Sequence, residues 1–435
     1  MKKIAYLLIF LLACFRAGAQ DNNDQNIIEG APLVFLDCSW QCDFDIIRNG
    51  MNLVNFVRER QSADVQVLVT SQGIGSGGER ISLYFTGLKH FEGMKDTIFV
   101  ETTNDATGKE INDQIIKGLK QGLLAYIAQS PIRDKIQYSL RKSNKSNNNK
   151  ETVIDPWNSW VFNTSIGGYL SAESNYNNYS LRGNISANRI TNTHKIYLWS
   201  NANYRASNFY TRDSFNTILD SLTITSLRNS ASIGGSYIYS LAPHWSIGVF
   251  PNISTNLFNN YKLSIEAIAG IEYNYFLYQE SDRRQLILQY KIGPRYFHYV
   301  DTTIYGNIKE RRFLQSISAN LYQKQNWGSL AMGASFSNYL KDIHLNRLVL
   351  YSEVNWNIVK GLTIGFNGSI SFISDQINLP KDAPDIPETL LRTRLLATNY
   401  SLFGYFNIRY TFGSKYNNVV NSRFSSGGGR TYFFF

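Results

Sequence analysis

The sequence is sparing with side chains that do chemistry. Its histidines are His90, His194, His244, His298 and His344, each far from the next. An imidazole is the natural general base near neutral pH, but no serine in a nucleophile motif accompanies any of them. Asp301, Asp342, Asp375, Asp382 and Asp385 fall in connections between alternating stretches. A carboxylate pair there would hold a hydrolytic water; solvated turns are the plainer reading. Cys38 and Cys42 stand in CSWQC. In an oxidising compartment they form a disulfide; as a metal pair they lack the further Cys or His of a tetrahedral site. The glycine-rich QGIGSGGE at 72–79 has no Lys-Ser/Thr after it and leads into a strand, which reads as a hairpin rather than a phosphate cradle. The expectation is no catalytic residue, no metal and no cofactor.

A different chemistry lies in charges that alternate with apolar residues. These are Glu173, Arg182, Arg205, Arg228, Glu266, Glu272, Lys291, Arg295, Lys324, Arg347, Glu353 and Arg409. Alternate residues of a strand face opposite sides, so these charges would share one face and line a lumen. Ion pairs that brace a narrow barrel are one reading. A channel that prefers anions is the other, because basic residues outnumber acidic ones and fixed charge selects ions by sign. Glu272 and Lys291 are expected to face each other across a turn at Gln279–Arg284.

The elements that carry these charges are long. From Trp157 onward about twelve segments alternate, the first at 159–174 and the last at 394–412. Segment 262–278 presents Leu263, Ile265, Ala267, Ala269, Ile271, Tyr273, Tyr275 and Leu277 on one side; segment 362–374 presents Leu362, Ile364, Phe366, Ile370 and Phe372. Soluble strands average about 5–6 residues, well short of these. Short connections (190–194, 242–244, 326–328, 359–361) take turns with longer ones (210–222, 301–312, 378–393). That asymmetry is expected of a transmembrane barrel with tight turns on the periplasmic side and long loops outside. The stretch Tyr400–Phe412, YSLFGYFNIRYTF, resembles the closing strand of bacterial outer-membrane β-barrels. The resemblance implies that Phe406, Ile408, Tyr410 and Phe412 belong to a barrel-closing strand read by the barrel-assembly machinery. Outer-membrane phospholipases also resemble twelve-strand barrels with a rim histidine. His298 and His344 fall near that rim, without the serine.

Composition agrees. Charged residues are 17% and aromatics 14% of 435 residues. Mean hydropathy is −0.25, and no run reaches the roughly 18 apolar residues of a spanning helix. The net charge is +10, but the basic residues are spread out and carry no nucleic-acid-binding motif. Lys2 and Lys3, the apolar run Ile4–Phe15 and Ala17-Gly18-Ala19 read as a secretory signal peptide over 1–19.

Residues 20–138 read as a small domain. Pro32–Asp37 is a buried strand and Phe44–Arg60 has near-helical spacing. Ala63–Ser71, Arg80–Gly87 and Thr97–Thr103 are strands, and Lys109–Ala128 is an amphipathic helix. This β-α-β-β-β-α order resembles the N-terminal domain of TolB and the periplasmic domain of curli secretion proteins. The runs VFLDCSWQCD from Val34 and ADVQVLVTS from Ala63 look like a family of two-part outer-membrane proteins of Bacteroidota type. A polar linker covers 139–156, the barrel 157–413, and a tail with a terminal aromatic cluster 414–435.

The sequence therefore implies an all-β transmembrane barrel of about twelve antiparallel up-and-down strands, preceded by a small α+β periplasmic domain. The function expected is a narrow, porin-like pore with a mixed, net basic lumen, and no enzyme. The alternative is a structural or assembly protein whose barrel anchors a partner-binding domain. The partners expected are outer-membrane lipid, the assembly machinery, and a periplasmic protein or peptidoglycan.

Overall fold

A computed structural model describes residues 27–38, 42–75, 77–135, 155–211, 222–325, 327–359, 361–382, 394–414 and 416. The signal peptide, most of the linker, Asp385 and nearly all of the tail lie outside them. The chain divides into two compact units, one holding the α+β elements and the other the long strands.

In the first unit, β1 (Leu33–Asp37), β2 (Asn55–Phe56), β3 (Val65–Gly73), β4 (Glu79–Gly87) and β5 (Lys95–Thr102) form a sheet in the order β2-β1-β3-β4-β5, with β1 parallel to both neighbours. Helices α1 (Phe44–Gly50) and α2 (Gly108–Ala128) cover one face. Alternate strand residues Val34, Leu36, Val65, Val67, Val69, Ile81, Leu83 and Phe85 meet Ile115, Leu119, Leu123 and Ile127 in the core. Thr107 and Glu110 cap α2 reciprocally, satisfying N–H groups that its first turn leaves unpaired. Cys38 and Cys42 form a disulfide.

The helix expected over 44–60 stops at Gly50. Beyond Met51 the chain is drawn alongside β1: Asn55 N–H donates to Pro32 O and Val57 N–H to Val34 O, at 3.0 and 2.9 Å. Pairing with the sheet thus overrides helical spacing. At Gly50 the two helices approach closely: a Cβ there would lie 2.5 Å from Ile116 Cδ1 and would push that side chain's end aside.

Tyr126 is 1% exposed and donates its hydroxyl to Met94 O at 3.2 Å. Burial raises its phenol above the usual tyrosine range. A raised phenol contributes stability that is complete below pH about 10 and lost as pH climbs through the folded value. Tyr126→Phe is expected to cost about 1 kcal/mol at neutral pH and to weaken the domain's alkaline unfolding; an unchanged alkaline limb would refute the assignment.

The second unit is one antiparallel up-and-down sheet. Its strands are β6 (Trp160–Ala172), β7 (Tyr176–Ile190), β8 (His194–Thr211), β9 (Leu222–Leu227), β10 (Ser230–Ala242), β11 (Trp245–Asn256), β12 (Tyr261–Asn274), β13 (Arg284–Tyr299), β14 (Lys309–Gln325), β15 (Gly328–Tyr339), β16 (Asp342–Val359), β17 (Leu362–Ile373) and β18 (Tyr400–Tyr410). Successive strands pair along the chain except at β9 and β10, which both pair with β8 instead of with each other. Those two are therefore one interrupted strand, broken at Arg228 and Asn229, and the twelve expected segments are all present. The last is shorter than expected: residues 394–399 and Phe412 lie outside β18. Strands β6 and β18 end the hydrogen-bonded path, and no pairing between them is recorded among the described residues.

Register gathers the apolar residues onto one face. Trp245, Tyr273, Leu288, Ala319, Ala334, Leu350, Ile370 and Leu402 stand opposite one another in turn from β11 to β18. No charge interrupts the row. Leu288 and Leu402 are 46% and 69% exposed.

Candidate functional site: the polar face and its looped end

Near strand ends, Arg189, Arg284, Lys309 and Arg311 share the apolar phase; the opposite face carries most of the strand charges. Arg182 on β7, Arg205 on β8, Glu266 and Glu272 on β12, Lys291 and Arg295 on β13, Lys324 on β14, Arg347 and Glu353 on β16 and Arg409 on β18 share its strand phase. Glu173 sits in the turn after β6, and Arg228 sits at the break before β10. Phe406, Ile408 and Tyr410 lie on the apolar face of β18, opposite Phe366, Ile364 and Leu362.

Charge pairing follows register. Glu266 stands opposite Arg295 and accepts from its Nε at 2.6 Å. Arg295 in turn stands opposite Arg312, an arrangement of like charges that costs energy unless compensated. Glu310 supplies the compensation, accepting from Arg312 Nε at 2.7 Å and from the Tyr299 hydroxyl. Arg347 holds Asp375 through Nε and Nη2 at 3.0 and 2.8 Å. The expected Glu272–Lys291 pair does not form. Glu272 stands opposite Gln289, which donates to it at 2.7 Å, while Lys291 stands opposite Gly270 and lies 4.8 Å from the Phe250 ring centre. The intervening turn pairs Asn274 with Ile287 and so sets Glu272 opposite Gln289, two residues out of register with the pairing that the sequence suggested.

Towards the end that carries the connections 257–260, 300–308 and 374–399, the polar face becomes apolar. Phe297, Tyr299, Tyr339 and Leu345 pack with Ile377, which is fully buried. Three connections lock over this cluster. Asn260, with a left-handed φ of +61°, donates to both Asp301 O and Asn378 O at 3.0 Å. Asn378 donates to Asn259 O at 2.8 Å. Thr303 bridges to Pro380, and Lys381 N–H donates to Thr302 O at 2.8 Å. An asparagine tolerates the left-handed region that β-branched residues avoid. The clasp and the Glu310–Arg312 and Arg347–Asp375 pairs were missed from sequence. The aromatic cluster had a signal: RYFHYV at 295–300 places Phe297 and Tyr299 on the phase that elsewhere carries polar residues.

His298 lies on the apolar phase, opposite Leu263 and Lys309. His344 is exposed, and Asp342 accepts from its backbone N–H at 3.0 Å. Asp301 and Asp375 are absorbed into the clasp and the Arg347 pair. Among the described residues, no three His, Cys, Asp or Glu side chains are placed to hold a metal ion. No described helix is long and apolar enough to cross a membrane.

The fold and this face define a two-unit protein: a small α+β domain, followed in the chain by a long up-and-down antiparallel sheet with one apolar and one charged face. No protein-family model matches the chain, and no curated protein matches it. Among solved structures it is similar to the NanC porin, at 10% identity over 57% of this chain and 99% of that one, with a TM-score of 0.26. It is also similar to the CymD monoaromatic hydrocarbon channel (9% identity, 49% and 82% coverage, TM-score 0.24). A third is the beta domain of the Bordetella autotransporter BrkA (11%, 58% and 98%, TM-score 0.23).

Proposed function

We propose that the protein is an outer-membrane β-barrel, closed by β6 against β18, whose polar face lines a narrow passage of net basic character. The observation that carries this reading is the uncharged apolar row from Trp245 to Leu402 on the face opposite the charges. So wide an exposed apolar face is a liability in water; lipid is the solvent that accepts it. The α+β domain then lies in the periplasm, and its element order supports a TolB- or curli-type reading and the Bacteroidota-type two-part organisation. Basic character persists after pairing is counted. Arg295 and Arg347 are neutralised by Glu266 and Asp375, but Lys291 has no carboxylate partner among the described residues, and Arg182 and Arg409 share its face. The role is passage rather than catalysis.

Purified protein in a planar bilayer under a salt gradient is expected to give stable steps with an anion-biased reversal potential. Lys291→Glu should move that potential towards cations, and unchanged selectivity would remove Lys291 from the pore lining. The clasp over the polar face favours a second reading, an occluded barrel that anchors a domain docking a periplasmic protein or peptidoglycan. A silent bilayer with verified insertion would decide for it.

A further inference from the structure

Arg189, Arg284, Lys309 and Arg311 stand on the apolar phase of their strands, where lipid makes a charge costly. The first two are held. Arg189 donates to the backbone and side-chain oxygens of Asn158 at 2.9 and 3.1 Å, and Arg284 pairs with Glu280. Lys309 and Arg311 are not. They follow one another on the same phase of β14, opposite His298 and Tyr296, and both are exposed. So is Lys341, in the tight turn between β15 and β16 at the same end of the sheet. The acids of these stretches are engaged elsewhere: Glu310 accepts from Arg312 and Tyr299, and Asp342 from the His344 backbone N–H. The ion pairs nearby take Arg295, Arg312 and Arg347. Among the described residues, Lys309, Arg311 and Lys341 have no carboxylate partner. Beside them the apolar face is hollow. A cavity of about 420 Å³ draws most of its lining from this phase, from Ile265, Ala267, Pro294, Tyr296, Arg311 and Phe313, with Lys341 alongside.

We propose that this rim binds a membrane lipid with an anionic, phosphate-bearing headgroup: Lys309, Arg311 and Lys341 take the headgroup, and the cavity takes the start of an acyl chain. The proposal rests on the membrane reading above. Depth supports it. Arg311 is six residues from Ile317, the middle of the 17-residue β14, which is about 20 Å along the strand. At the tilt of transmembrane strands this is about 15 Å along the membrane normal, half the hydrocarbon thickness. Lys309 and Arg311 therefore fall where hydrocarbon gives way to headgroups, with Pro294 and Phe313 one row further in. Basic clusters at that level draw anionic lipid. Arg311 can grip phosphate oxygens with its guanidinium fork, while the lysines add point charges. Charge and cavity together select the occupant. A free anion has no use for the apolar cavity, and an uncharged lipid has none for the three cations.

The test uses the full chain in phosphatidylcholine vesicles that contain a small fraction of phosphatidylglycerol with a photoreactive acyl chain. Illumination is expected to concentrate label on 263–267, 294–298 and 309–313. Phosphatidylcholine carrying the same photoreactive chain should label these peptides at least about tenfold less. Lys309→Gln, Arg311→Gln and Lys341→Gln combined should abolish the preference, whereas Arg189→Gln with Arg284→Gln should leave it intact. Equal labelling by the two lipids, or a preference that survives the triple change, would overturn the proposal. Ala267→Trp, which fills the cavity with an apolar side chain, should lower labelling by the charged lipid; an unchanged yield would also overturn it, and this variant decides if the triple one fails to insert. Loss of label on adding inorganic phosphate would assign the cations to a free anion. Loss on raising the protein-to-lipid ratio would assign the rim to a second copy. Either result would overturn the lipid site. Inserted protein without the preference refutes this site alone, and protein that stays outside the vesicles refutes the membrane reading with it.

Discussion

Arginine in place of Phe366 is expected to keep the sheet from its folded form, whereas arginine at the next residue, Asn367, is expected to be tolerated. Phe366 stands opposite Val354 and Phe406 on the apolar face, 45% exposed and near the middle of β17. In the outer-membrane barrel proposed above, arginine at the midplane on the lipid side would cost about 2–4 kcal/mol, a shift of about 30- to 1000-fold in the folded population. Asn367 belongs to the other face, opposite Glu353 and Tyr405, where a new cation meets a carboxylate. The measurement is the fraction of membrane-extracted protein that migrates as a folded barrel without boiling. Equal yields for the two variants would mean that the apolar face does not meet lipid.

Leu119→Ala is expected to act on the other unit. Leu119 is fully buried in α2, among Ile115, Leu123 and the β3–β4 residues of the same core. The cavity left by such a truncation costs about 2–5 kcal/mol. Hydrogen exchange on the intact chain should speed up by at least about thirtyfold at the slowest amides of β3, β4 and α2. The amides of β11 to β17 should be unaffected. Coupled loss of protection in both units would show that they unfold together.

Strands and facing were legible in the sequence because alternation is a local property. Each of the twelve segments became a strand or, at Arg228–Asn229, a strand with a break. What lay beyond reach was set by pairing. The register across the turn before β13 decides that Arg295 meets Glu266 while Lys291 meets Gly270, and a turn with its own short helix at Tyr278–Glu280 hides that register from a count of residues. The clasp joins Asn260 to Asn378, 118 positions apart, and nothing local marks either asparagine. Helix α1 was overextended for the same reason: the residues after Met51 obey β1, which precedes them by about twenty positions.

Strict neighbour pairing in the long sheet also has an evolutionary consequence. Each hairpin is a self-contained unit that enters and leaves at the same end, and an even step preserves both strand direction and facing. Gain or loss of one hairpin by gene duplication or deletion would therefore keep the apolar face and the polar face intact on every remaining strand. In the closed barrel proposed above, it would change only the circumference, and with it the width of the space enclosed. Most of the turns at the end away from the clasp, between β7 and β8, β10 and β11, β14 and β15, and β16 and β17, are short. They are the points at which such an exchange would disturb least. The clasp is built on the connections of the β11–β12, β13–β14 and β17–β18 hairpins, so the sheet's freedom to change size lies in β6 to β10.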